Sequence, residues 1–139
     1  MDGRGGCLCG AVRYLCNEAP VSVYHCHCRD CQKASGAAFA TCLLMNESAV
    51  EVTAGRPRQF SVESADGKVV TRLFCGDCGS QLFTQAAVVP GLRIVKAGTL
   101  DDASWLEPEV HLWTSTKQPW LALGDQLPCH EKQPSPPRL

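Results

Sequence analysis

Apolar and polar positions alternate with a period of two along much of the chain, most clearly over residues 58–62 and 68–74. That period places successive side chains on opposite faces of a strand. Residues 11–16 and 21–25 read as two more short strands. The turn-forming Asn17-Glu18-Ala19-Pro20 separates them, which predicts a hairpin. Apolar runs at 37–45 and 49–53, then 81–85, 92–97 and 110–114, complete the strand pattern. No long window carries a 3.6-residue period, so helix is confined to one turn at 30–34, stopped by Gly36. The pattern predicts a mainly β chain.

Pro119 and Trp120 are expected to close the core of one domain spanning residues 1–123. Residues 124–139 are mostly polar or proline. They are expected to form a flexible tail, loosest at Gln133-Pro134-Ser135-Pro136-Pro137. At 139 residues the chain matches a single domain large enough to bury a core. A formal net charge of -1 provides no electrostatic footprint for nucleic acid or an acidic membrane surface. No apolar run approaches the roughly 20 residues that span a bilayer, and the N-terminus lacks the apolar core of a secretory signal. The expected location is the cytoplasm.

Ten cysteines change the picture. In a reducing compartment, close C-x-C and C-x-x-C pairs point to metal rather than disulfides. Three of the thiols fall within six residues, Cys26-His27-Cys28-Arg29-Asp30-Cys31. In an extended segment Cys26 and Cys28 point the same way, and a turn after Cys28 can bring Cys31 round to share one ion. Zinc suits such a set of soft thiolates. Structural zinc normally takes four protein ligands and catalytic zinc keeps a position open, so a count of three is informative. If Cys7 and Cys9 join Cys75 and Cys78, they form a closed four-thiolate site and leave the central three alone. The alternative is a single metal site with the remaining thiols unused.

Cys16, Cys42 and Cys129 have no near partner in sequence and read as small buried or incidental thiols. His25 or His27 could complete the central site, yet in an extended segment both point away from Cys26 and Cys28. His111 alternates with apolar neighbours and reads as a strand-face histidine, with a pocket role open. A zinc deaminase would need Glu two residues after its histidine ligand, and His27 stands there after His25.

A dication with three thiolates carries one net negative charge, so its Lewis acidity is muted. Such a centre suits binding of a substrate thiol and its presentation as thiolate to a carbon electrophile. Arg29 and Lys33 lie beside the cluster, to neutralise it or bind carboxylates of an anionic thiol, or simply as two solvated charges.

Four stretches carry a family resemblance: Gly6-Cys7-Leu8-Cys9-Gly10-Ala11-Val12-Arg13-Tyr14, Cys26-His27-Cys28-Arg29-Asp30-Cys31-Gln32-Lys33-Ala34-Ser35-Gly36, Phe74-Cys75-Gly76-Asp77-Cys78-Gly79-Ser80 and Gly98-Thr99-Leu100-Asp101-Asp102. In this order they resemble the glutathione-dependent formaldehyde-activating enzyme family, which also contains centromere protein V. The resemblance implies a small zinc-stabilised β fold with two knuckle regions, shared with a Rab-binding zinc protein. It implies two zinc ions, one structural on Cys7, Cys9, Cys75 and Cys78, and one catalytic or more labile on Cys26, Cys28 and Cys31. The implied activity is that of a carbon-sulfur lyase resembling S-(hydroxymethyl)glutathione synthase, joining a glutathione-like thiol to a small carbonyl such as formaldehyde. Arg29, Lys33 and His111 or Trp113 would shape the pocket, and a homodimer is compatible. The contrasting expectation is a non-catalytic, zinc-stabilised module that binds a protein partner.

Overall fold

The computed structural model describes residues 1–64 and 67–134. Among the described residues, ten strands make two sheets. β1 (Arg4–Gly6), β2 (Arg13–Cys16) and β5 (Val50–Ala54) form a three-stranded sheet in the order β1-β2-β5. The larger sheet has seven strands: β3 (Ser22–Cys26), β4 (Ala40–Asn46), β6 (Arg58–Glu63), β7 (Val69–Phe74), β8 (Gln81–Ala86), β9 (Leu92–Lys96) and β10 (Val110–Leu112). Their order is β10-β3-β4-β9-β8-β7-β6. All neighbouring pairs are antiparallel except β10 with β3. The fold is mainly β, as the alternation predicts.

β4 explains why its own stretch reads as a continuous apolar run. Leu43 and Met45 enter the main core, whereas Ala40, Cys42 and Leu44 are buried on the other face. A strand covered on both sides needs apolar side chains at every position. The main core lies between the sheets, where Tyr14 of β2 meets Phe83 of β8 edge to face at 5.1 Å. The Tyr14 hydroxyl also shares a hydrogen bond of 2.7 Å with Thr99 Oγ1. Gly5 makes this approach feasible, because a Cβ there would sit 2.4 Å from the Tyr14 hydroxyl oxygen.

Three expectations fail. Residues 11–16 and 21–25 are not a hairpin: β2 pairs with β1 and β5, while β3 pairs with β4 and β10. The turn between them is a corner between layers, and the glycine-rich β1 that claims one edge of β2 carries no strand propensity to announce itself. Pro119 and Trp120 do not close the core; both are exposed, Trp120 by 72%. Here the chain turns after β10, with the Leu121 amide bonded to Gln118 O, and Gln118 rather than Trp120 faces inward to Gln32. Third, the segment after Leu123 does not run free where it is described. The His111 amide donates to Pro128 O, the His130 amide to His111 O, and the Thr114 and Ser115 amides to His130 O and Glu131 O. Ser135, Pro136 and Pro137 of the expected tail lie outside the described residues. No helix among the described residues is long and apolar enough to cross a membrane.

Candidate metal centre

The two halves of the first cluster arrive from distant parts of the chain on similar knuckles. In the first, Gly10 at φ 81° lets its amide return to Cys7 O at 3.1 Å. In the second, Gly79 at φ 79° returns its amide to Cys75 O at 2.8 Å. Only glycine occupies this backbone region without strain. The sulfur atoms of Cys7, Cys9, Cys75 and Cys78 all lie within 4.8 Å of one another. Cys7 and Cys9 Sγ are 3.6 Å apart, and Cys9 and Cys75 Sγ 3.8 Å. A tetrahedron with Zn–S bonds of about 2.3 Å has sulfur–sulfur edges of about 3.8 Å. This set of donors therefore fits one zinc ion.

Amide or hydroxyl donors approach three of its four sulfur atoms. The Val12 amide donates to Cys7 Sγ at 3.2 Å and the Asp77 amide to Cys75 Sγ at 3.4 Å, while Ser80 Oγ lies 3.3 Å from Cys78 Sγ. The bond from Val12 lowers the Cys7 thiol below its usual range. Ser80, through its hydroxyl and then its amide, brings Cys78 down to about 5. Hydrogen bonds that favour the charged form act in this direction.

The second cluster joins the end of β3 to a short helix, α1 (Arg29–Ser35). Cys28 caps that helix and its Sγ accepts the Cys31 amide at 3.3 Å, which brings Cys31 round as the sequence predicts. Cys26, Cys28 and Cys31 offer sulfur atoms within 4.8 Å of one another, and no further Cys, His, Asp or Glu joins them among the described residues. Three donors converge, so the cluster could hold an ion with a position left over. Hydrogen bonding from Cys26, then Cys28, lowers Cys31 strongly, with Lys96 and Arg72 adding positive charge. The same sharing raises Cys26.

Gln32 locks this arrangement from beneath. Its Nε2 donates to His27 O at 2.7 Å and to Thr116 O at 3.0 Å, and its Oε1 accepts from Arg29 and Gln118. Trp113 takes the left-handed conformation at φ 60°, uncommon for a bulky residue, and packs against the cluster of Cys26, Cys31 and Cys42.

An open cleft of about 440 Å³ lies against the three-thiol cluster, lined by Cys31, Ser35, Phe39, Thr41, Ser80 and Lys96 among others. Among the described residues Lys96 is the only cation that lines it, with Nζ 3.7 Å from Cys42 Sγ. Arg29 and Lys33 are exposed on α1 and do not line it. The sequence drew attention to these two by their nearness along the chain. Lys96 was missed, since it ends an apolar strand far from any cysteine motif and only sheet pairing with Cys42 brings it to the site.

The histidines form a system of their own. His25 shares a hydrogen bond of 2.8 Å between Nδ1 and Thr41 Oγ1. His27 Nε2 lies 2.8 Å from His111 Nδ1, and His111 Nε2 lies 2.8 Å from Asp125 Oδ2. Neither His25 nor His27 is brought to the central thiols, in keeping with strand alternation. Burial lowers His25 below its ordinary range and brings His27 down to about 4. His111 is a buried strand residue, as expected, but its carboxylate partner Asp125 comes from the segment read as tail.

A family model described as glutathione-dependent formaldehyde-activating enzyme matches residues 2–116. The crystal structure of a Rhodobacter sphaeroides protein, a structural genomics target, is similar with a TM-score of 0.56 at 20% identity. The match covers 76% of this chain and 91% of that one. At that identity the likeness concerns the fold alone.

Proposed function

Because the chain belongs to the glutathione-dependent formaldehyde-activating enzyme family, we propose that it catalyses reversible addition of a glutathione-like thiol to a small carbonyl. The observation that carries this reading is a three-thiol cluster whose Cys31 lines the same cleft as Lys96. In the forward direction a carbon–sulfur bond forms, the carbonyl π pair moves to oxygen, and that oxygen takes up the proton given up by the thiol. The reverse reaction is a carbon-sulfur lyase step.

A zinc ion held by Cys26, Cys28 and Cys31 would supply a position that binds the substrate sulfur and lowers its pKa. The four-thiolate cluster of Cys7, Cys9, Cys75 and Cys78 has the closed donor set of a structural site and ties the N-terminal knuckle to the loop after β7. Lys96, which lines the cleft, would receive a substrate carboxylate. Arg29 and Lys33, on the exposed side of α1, are outer cations that draw an anionic thiol towards it. Phe39 and Ala40 supply an apolar wall that limits water beside the reacting sulfur. Gln32 and the Cys28 cap act as positioning groups, holding Cys31 in register with Cys26. A cleft of this size falls within the range of small-molecule sites, about 300–1,000 Å³.

Exchange NMR tests this reading by following glutathione, formaldehyde and their adduct at equilibrium. Catalytic amounts of zinc-loaded protein should accelerate exchange, and the Cys28→Ser variant should not. No acceleration by the unaltered protein, together with capture of one stoichiometric protein partner, would favour the non-catalytic module.

A further inference from the structure

We propose a third metal site, distinct from both cysteine clusters, formed by His25, His111 and Asp125 and suited to a first-row divalent ion of the zinc class. A ring nitrogen of His25, a ring nitrogen of His111 and a carboxylate oxygen of Asp125 lie within 4.8 Å of one another. They come from three separate segments: β3, its parallel neighbour β10, and the stretch that follows Leu123. In register, His25 stands directly opposite His111, and their ring centroids are 4.9 Å apart.

Each imidazole is held by its other nitrogen, as ligating histidines are. Thr41 Oγ1 engages His25 Nδ1, leaving Nε2 available, and His27 Nε2 engages His111 Nδ1. Phe39 packs edge to face on His25 at 4.8 Å, further restricting that ring. Asp125 is held as well, its Oδ1 accepting the Leu127 amide at 3.1 Å while Oδ2 faces His111 Nε2.

Two neutral imidazoles and one carboxylate form a borderline donor set. It differs in kind from the thiolate clusters and is unsuited to calcium or magnesium, which take oxygen ligands. The carboxylate accepts only, so in the metal-free chain His111 Nε2–H donates to Asp125 and His27 Nε2–H donates to His111 Nδ1. Metal uptake at His111 Nε2 moves both rings to the other tautomer: His111 then carries its proton on Nδ1, and His27 carries one on Nδ1. His27 Nδ1 is buried without a hydrogen-bond partner among the described residues, so that atom is free to take the proton. Three protein ligands leave positions for water or a small ligand. A metal ion here would also clamp the segment around Asp125 onto β10.

Cobalt tests the site independently of activity. The 139-residue protein purified without chelator, with its cysteine clusters zinc-loaded, is titrated with Co²⁺ and followed by absorption. The expected result is one further equivalent bound, giving d–d bands without thiolate-to-cobalt charge transfer and without release of zinc. Asp125→Ala, at an exposed position, and His25→Ala should each weaken this binding at least about tenfold. Absence of such bands, bands that carry thiolate charge transfer only, or binding by both variants as tight as by the unaltered protein would overturn the proposal.

Discussion

Replacement of Gln32 by alanine probes how the three-thiol cluster is held. The side chain is buried and makes four hydrogen bonds, two of them from Nε2 to the carbonyls of His27 and Thr116. The His27 carbonyl keeps a second donor, Thr116 Oγ1 at 3.0 Å, whereas the substitution removes the side-chain donor to Thr116 O. The bonds to Oε1 come from exposed Arg29 and half-buried Gln118 and count for less. Two inward bonds at about 1 kcal/mol each, plus part of the desolvation cost of a carbonyl left without its partner, give a loss of about 2–3 kcal/mol. At roughly 3 °C per kcal/mol for a chain of this length, Tm should fall by about 6–9 °C. Urea unfolding of zinc-loaded protein measures the first quantity. A chromophoric chelator measures the second consequence: the more weakly held zinc should leave at least about tenfold faster, since Gln32 positions α1 and hence Cys31. Gln118→Ala, which removes only an Oε1 contact, should cost less than about 1 kcal/mol. A change below about 0.5 kcal/mol for Gln32→Ala, with unaltered zinc release, would refute the positioning role.

Other perturbations separate the parts of the molecule. Cys75→Ser opens the four-thiolate cluster and should forfeit much of the ~10 kcal/mol that a structural zinc supplies, abolishing cooperative unfolding by circular dichroism. Cys28→Ser should leave that transition in place. Leu43, fully buried at the centre of β4, should cost about 2–5 kcal/mol as alanine in urea denaturation. Exposed Trp120 should change stability by no more than about 0.5 kcal/mol as alanine. In maleimide labelling of the zinc-loaded protein at mildly alkaline pH, mass spectrometry should find exposed Cys129 modified first. Buried Cys16, whose thiol burial pushes to about 11, should stay unmodified until denaturant is added.

The knuckles were legible because their determinants are local. A thiol pair two or three residues apart, followed by a glycine that must take positive φ, describes its own loop, and Cys28-x-x-Cys31 announces a turn and a ligand pair. Strand existence was equally legible from alternation. Pairing was not: nothing in residues 11–16 indicates that β2 lies between β1 and β5, because the partner β1 is Arg4-Gly5-Gly6, without apolar signal. Lys96, Gln32 and Asp125 escaped for a related reason. Each is a single polar residue whose partners, at Cys42, at His27 with Thr116 and at His111, are set by tertiary register rather than spacing. The segment after Leu123 looked like tail because it is poor in apolar residues. It is held instead by backbone hydrogen bonds along β10 and by one carboxylate on a buried imidazole.

On the proposed function, the cluster of Cys26, Cys28 and Cys31 presents a metal position open to a substrate thiol. Isothermal titration of glutathione into zinc-loaded protein, with the Cys28→Ser variant as control, tests it most directly. Saturable binding is expected, and the variant should lose it while its cooperative unfolding persists. Glutathione binding of equal strength in both proteins, or in neither, would contradict it.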